Sequence, residues 1–203
     1  MNKRNIIVGI LGIIFIALIV LIKTNVINKF DTFIYKLLTF RMNDIFTSTY
    51  KVFTFLGSTV FIVSLVIFFF ILFIILKKKN ISFIIASCLI ISTIVNNVIK
   101  IIIRRERPTV LRLVTEKSFS FPSGHTMAAV SMYGILIYII LKSNIDKRIK
   151  TILSVILALL PIFIAVSRIY LGAHFASDVI GGVTTSTILL LIETNIIDKK
   201  KWL

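Results

Sequence analysis

The sequence predicts an all-α membrane protein: a bundle of six transmembrane helices, with an amphipathic interfacial segment between the first two. Two observations carry this reading. Of 203 residues, 58% are hydrophobic and 16% charged, and the mean hydropathy is +1.03. Soluble domains average roughly 45–50% apolar and roughly 25% charged residues. Six apolar runs also approach the about 20 residues that a helix needs to cross a bilayer. No internal repeat, low-complexity tract or linker divides the chain, so one domain is expected over 1–203.

The first run, 6–22, follows Lys3 and Arg4 as a signal peptide would. It exceeds the usual hydrophobic core of such a peptide and no small-x-small cleavage site follows it, so a retained span is expected. Residues 29–56 differ in kind. Phe30, Phe33, Ile34, Leu37 and Leu38 recur at helical spacing, with Asp31, Lys36 and Arg41 between them. This pattern suits a helix lying in the membrane interface, or equally a linker helix packed on its neighbours. Further spans are expected at about 57–76, 81–103, 123–142, 151–167 and 178–197. Gly57 opens the second and lysines 77–79 close it; Pro-Ser-Gly opens the fourth. Pro161 lies inside the fifth, where a membrane helix tolerates a kink.

The net charge of +16 raises the possibility of a nucleic-acid partner, and its distribution argues against one. Basic residues cluster between apolar runs, as expected of charges that orient membrane helices. Six spans put both termini on one side with the loops at 77–80 and 142–150. These segments hold twelve of the 24 basic residues, so the count alone is a tie. They are compact, nearly free of acids and tight against the spans, which places them and the termini in the cytoplasm. The single cysteine, Cys88, cannot form an internal disulfide and reads as a packing residue.

Three patches on the opposite side look built to hold an oxyanion. The first runs from Lys100 to Arg107-Pro108; on a continuing helix the two cations share a face, and Asn96 and Asn97 are placed to orient Lys100. Snorkelling of basic residues would by itself explain this patch. The second is Pro122-Ser123-Gly124-His125 at the start of a span. A helix N-terminus offers free N–H groups to an anion, Gly124 permits close approach, Ser123 can donate a hydroxyl, and His125 can exchange a proton near neutrality. A plain helix cap is the simpler alternative. The third is Ser167-Arg168 through His174 to Asp178. His174 and Asp178 are four apart, so on a helix they share a face. A carboxylate at one imidazole nitrogen makes the other a better nucleophile, and the Arg168 guanidinium suits phosphate oxygens. The chain has two histidines, and each lies in one of these patches.

In order and spacing the patches resemble the three-part signature of the type 2 phosphatidic acid phosphatase superfamily: Lys-x6-Arg-Pro, Pro-Ser-Gly-His and Ser-Arg-x5-His-x3-Asp. No signature residue is missing between Lys100 and Asp178. The resemblance implies a helical bundle of the kind this superfamily shares with haloperoxidases. It also implies an integral membrane phosphatase acting on a lipid phosphate without metal or cofactor. His174 would attack phosphorus, Asp178 would orient it, and His125 would protonate the leaving oxygen and then activate water. Lys100, Arg107, Ser123, Gly124 and Arg168 would hold the phosphate oxygens.

By the same resemblance the substrates expected are phosphatidylglycerophosphate, phosphatidate or undecaprenyl diphosphate, and the partners are the lipid and the bilayer. The small size and Ile-, Asn- and Lys-rich composition fit the plasma membrane of a bacterium. Segment 109–121, with Arg112, Glu116 and Lys117, lacks the insertions some relatives carry, so broad specificity is expected. Transfer of the phosphoryl group to another acceptor, and a non-catalytic lipid-phosphate binder or transporter, are the alternatives. Haloperoxidases of the superfamily bind vanadate in the same pocket but are soluble.

Overall fold

A computed structural model describes residues 3–202; the outermost residues of the domain expected over 1–203 lie outside it. The described residues form eight α-helices and no strand: α1 (Lys3–Lys23), α2 (Asn28–Thr39), α3 (Asp44–Leu56), α4 (Thr59–Ile75), α5 (Lys79–Ile103), α6 (Gly124–Lys142), α7 (Lys147–Tyr170) and α8 (Ala176–Lys200). By length and composition α1, α5, α6, α7 and α8 can each cross a membrane. Helix α4 has 17 residues and joins them when counted with α3 as one broken span, bent by 45°.

The amphipathic stretch 29–56 therefore resolves into two helices. Asn43 breaks it, accepting the Phe46 N–H at 2.9 Å as the N-cap of α3. Gly57 and Ser58 break α3 from α4, and Ser58 caps α4 through Phe61 N at 3.3 Å. A Cβ at Gly57 would run into Ile164 and lie 3.6 Å from His125, so the bend backs directly onto that histidine. Helix α2 departs from its expected polarity: Asp31 is buried against the start of α8, while Phe33 and Leu37 stay exposed.

Helix α6 is the centre of the bundle, packed against α4, α5, α7 and α8. Ile62, Ile85, Cys88, Met132, Ile135 and Ile164 meet there with almost no exposure. Outward-facing residues such as Ile13, Ile16, Val60 and Ile75 are highly exposed, an arrangement that hydrocarbon rather than water accommodates. At one end Asp198 pairs with Arg4 at 2.7 Å and Lys142 at 2.6 Å, and Asn80 donates to the Trp202 carbonyl at 3.5 Å. The segment ends expected together on one side thus meet in space. The loop 104–123 and the adjoining ends of α5, α6, α7 and α8 build the other end.

Close contact between α8 and the start of α6 depends on Gly182. A Cβ there would stand 3.1 Å from the Ser123 carbonyl oxygen and 3.2 Å from Thr126 Cβ. Overpacking of this kind costs about 1–3 kcal/mol. Gly182→Val should therefore lower the melting temperature in detergent by several degrees, whereas Gly9→Val on α1, where a Cβ meets nothing within 4 Å, should not.

Candidate active site

The loop from Arg104 to Ser123 folds back over the bundle end and brings the three patches together. Lys100 and Arg107 do not share a helix face. Helix α5 stops at Ile103, Arg104 takes a left-handed conformation with φ of 51°, and Lys23 Nζ donates to the terminal Ile103 carbonyl at 3.1 Å. Arg107 reaches the site through the loop, donating from Nε to Ser118 O at 2.7 Å and from Nη1 to Ala173 O at 2.8 Å. The Lys100 ammonium donates to the Phe119 carbonyl. Asn96 does not touch Lys100; it donates to Pro122 O at 3.2 Å and thereby holds the second patch.

His174 follows Gly172, whose φ of +68° makes the turn between α7 and α8. A Cβ on Gly172 would collide with the Leu111 carbonyl, so loop 104–123 rests on this turn. The imidazole is 2% exposed. Its Nδ1 faces Asp178 Oδ2 at 3.5 Å and Ser120 Oγ at 3.4 Å, while its Nε2 lies 3.2 Å from Arg107 Nη1. Arginine can only donate. Nε2 is therefore the acceptor and Nδ1 carries the hydrogen, toward Asp178. Asp178 Oδ2 also accepts the Phe175 N–H at 2.9 Å and the Ser120 hydroxyl. An imidazole held in this way presents a nucleophilic Nε2.

His174 and His125 line one cavity of about 210 Å³ with Lys100, Arg107, Glu116 and Gly124. The cavity continues between α4, α5 and α6, where Ile62, Val63, Leu89 and Ala128 line it. Arg168 is buried, donating from Nη1 to Thr54 Oγ1 at 2.5 Å and from Nη2 to Glu116. Its Nε is a buried donor without a partner among the described residues. Glu116 also faces His125 Nδ1 at 3.8 Å and Arg107 Nη2 at 4.0 Å, so one carboxylate sits against two candidate phosphate ligands and the candidate acid–base histidine. Ser123 points elsewhere: its Oγ accepts from Thr126 Oγ1 at 2.9 Å and Thr126 N at 3.4 Å, capping α6. Among the described residues no group of three or more His, Cys, Asp or Glu side chains is gathered to hold a metal.

Ser120, Glu116 and Arg105 enter the site without having been singled out for it by sequence. Arg105 donates to Asp178 Oδ1 at 2.6 Å. The available signal is weak: Arg105 is one of four arginines and Ser120 one of three serines between residues 104 and 123.

A model of the PAP2 superfamily matches residues 81–202. Phosphatidylglycerophosphatase B of Bacillus subtilis (strain 168) is 36% identical over 110 residues, 53% of this chain and 54% of that protein. Glucose-6-phosphatase catalytic subunit 1 of Haplochromis xenognathus is 27% identical over 90 residues, 40% of this chain and 31% of that one. The matches thus span about half, or less, of the curated relatives' length. The crystal structure of a transmembrane PAP2 type phosphatidylglycerolphosphate phosphatase from Bacillus subtilis superposes with a TM-score of 0.88 over 98% of both chains, at 28% identity. Aquifex aeolicus LpxE shares the fold, with a TM-score of 0.63 over 79% of this chain and 92% of its own, at 24% identity.

Burial pushes the His174 imidazole down to about 4; Asp178 opposes this, and Arg168 and Arg107 reinforce it. Burial likewise lowers Arg107, against the pull of Glu116 and Asp178. An unfolded histidine titrates near ~6.5. Between that value and about 4 the unfolded chain binds the extra proton, so His174 costs stability as pH falls through this window. The melting temperature should drop by several degrees from pH 7 to pH 4.5, and His174→Gln should drop less; equal drops would assign the acid sensitivity to other groups.

Proposed function

The chain belongs to the PAP2 superfamily, and from that premise we propose that it is a membrane phosphatase that hydrolyses lipid phosphates through a phosphohistidine on His174. One observation carries the reading: the imidazole is fixed with Nδ1 toward Asp178 and an unprotonated Nε2 beside Arg107, in a cavity shared with His125 and Lys100. Nε2 attacks phosphorus as the bond to the lipid oxygen breaks, and His125, protonated once the negative charge of the phosphate sits beside it, gives its proton to that oxygen. The lipid alcohol leaves, or the lipid monophosphate where the substrate is a diphosphate. Water then attacks the phosphohistidine, His125 takes the water's proton, the P–N bond breaks and inorganic phosphate departs.

Lys100, Arg107, Arg168 and the Gly124 N–H stabilise charge on the phosphate oxygens. The unpartnered Arg168 Nε supports this, because a buried donor without an acceptor is costly. Ser123 contributes by fixing the N-terminus of α6. Phosphate competes with Glu116 for Arg168 and Arg107, so Glu116 yields its contacts when substrate binds. The chemistry proposed for these residues calls on no metal.

The cavity between α4, α5 and α6 supplies a slot for the lipid tail, and a groove of about 650 Å³ past Lys100 and Arg107, lined by Arg112 and Lys117, supplies a wet side for the headgroup. The relatives' names point to phosphatidylglycerophosphate as the first lipid to try, with phosphatidate and undecaprenyl diphosphate beside it. On this reading the termini lie in the cytoplasm and the site on the outer face, which the compact, acid-poor basic segments at the opposite end support.

Phosphate release from these three lipids should survive excess chelator and disappear in His174→Ala and His125→Ala. Strict dependence on a divalent ion, or full activity in His174→Ala, would end the reading. Ala128→Phe should lower kcat/KM on long-chain lipids about tenfold or more while a short soluble phosphomonoester is hydrolysed within threefold of wild type. Equal losses on both would remove the tail slot.

A further inference from the structure

Two charged side chains play no part in the chemistry above: Asp31 on α2, which is buried, and Arg105 in the loop after α5, whose side chain is 9% exposed. They form one cluster. Arg105 donates from Nη1 to Asp178 Oδ1 at 2.6 Å and to Ser177 Oγ at 2.7 Å, and from Nη2 to Asp31 Oδ2 at 2.8 Å. Asp31 accepts the Ser177 backbone N–H on Oδ1 at 2.8 Å and the Ser177 hydroxyl on Oδ2 at 2.7 Å. The guanidinium stacks 4.1 Å above the centre of the Phe175 ring. Asp31 and Asp178 are 1% and 0% exposed, and Ser177 is fully buried.

A carboxylate that orients an imidazole must itself be prevented from rotating. Asp178 divides its oxygens for this purpose. Oδ2 faces His174 and takes Ser120 and Phe175 N, whereas Oδ1 is held by Arg105. An unshared guanidinium on Oδ1 would draw negative charge away from the imidazole. Asp31 takes up the other arm of that guanidinium. The three groups together carry one net negative charge, opposite to the positive charge the ring gains when Nε2 bonds to phosphorus.

An ion pair serving only to pin α2 to the bundle could sit anywhere along its seat, where Ile34, Tyr35 and Leu38 already pack on Ala165 of α7 and on Ala176 and Val179 of α8. This pair ends instead on the oxygen opposite the one that faces His174. We infer that Asp31 and Arg105 are positioning residues: Arg105 fixes Asp178 by Oδ1 so that Oδ2 addresses His174 Nδ1, and Asp31, delivered by α2, fixes Arg105 and limits its pull. The inference rests on the reading of His174 as the nucleophile. It also makes the seat of an interfacial helix, with Phe33 and Leu37 exposed on its other side, part of what aligns the site.

The test uses full-length protein in detergent, with the fraction folded measured by gel filtration and thermal unfolding, and kcat and KM measured on the best lipid substrate. Asp31→Asn and Arg105→Gln should each lower kcat by about 10- to 100-fold, the range in which groups that orient a reacting residue act elsewhere. KM should stay within threefold, and the double variant should be no worse than Arg105→Gln, because the two act through one contact. Arg105→Lys should recover part of the loss.

The acid limb of kcat gives a readout that a staple would not move. His174 also meets Arg107, feels the charges of Arg168 and His125, and shares its cavity with Lys100 and Glu116, and neither variant alters these. Removing the Asp31 charge disfavours the imidazolium and shifts the limb to lower pH. Removing the Arg105 charge favours it and shifts the limb upward. Asp31→Asn is isosteric and carries the test where Arg105→Gln does not fold. Wild-type kcat in folded Asp31→Asn, additive losses, or a limb that stays in place would overturn the inference and leave a structural staple. A wild-type enzyme that releases no phosphate would instead overturn the function on which it rests.

Discussion

Taking a carboxylate out of water costs several kcal/mol unless charge-assisted partners replace the solvent. Asp178, in the first turn of α8 with 0% exposure, is where this protein meets that demand. Its side chain is met by Arg105, Ser120, the Phe175 N–H and the His174 ring, and its carbonyl accepts the Ser123 N–H at 3.0 Å. These partners come from the 104–123 loop and from the turn before α8, and Arg105 is in turn tied to α2. No one helix can assemble the set. This end of the bundle is therefore a joint of several segments whose packing and chemistry are one structure: Phe121, which stacks on Phe15 of α1 with centroids 5.8 Å apart, belongs to the stretch that delivers Ser120 and Ser123.

Around that carboxylate the protein gathers Lys100, Arg107 and Arg168, which repel one another. Backbone carbonyls hold two of them, Phe119 for Lys100 and Ser118 with Ala173 for Arg107, and Glu116 holds the third. Carbonyl dipoles keep a cation in place without neutralising it. Such a cluster suits a ligand that brings more negative charge than one carboxylate, and a phosphate dianion does so. The same reasoning explains why His174 is neutral: burial and two guanidiniums disfavour a further cation, so its ring arrives as a base.

The spans were legible because the bilayer sets a length that apolar runs must reach, and each expected run lies within or close to a helix. The three patches were legible because their residue types sit at fixed spacing on segments that topology places on one side. What escaped has a common physical form. Arg105 meets Asp31 and Asp178 across 74 and 73 residues, and Ser177 meets Asp31 across 146. In sequence Arg105 looks like its neighbours Arg104 and Arg107, though Arg104 turns back to the Ile101 carbonyl at 3.0 Å. Asp31 reads as the polar side of an amphipathic helix, and only the docking of α2 on α8 decides that it is inside. Ser123 and Ser120 differ likewise: one hydroxyl closes a helix cap, the other reaches Asp178 and His174, and a register of three residues separates them.

A phosphate and a lipid tail ask for opposite surroundings, and one cavity of the bundle offers both. The histidines and cations lie where α5, α6, α7 and α8 end, beside a groove lined by exposed Arg112 and Lys117; the cavity wall then passes to Ile62, Val63, Leu89 and Ala128 between helices whose outer faces are apolar. A charged headgroup drawn further in would lose its hydration to hydrocarbon, and a tail drawn further out would lose its burial. On the proposed function, a cavity that is polar at the histidines and apolar between the helices favours amphiphilic phosphates before any contact with a particular headgroup does.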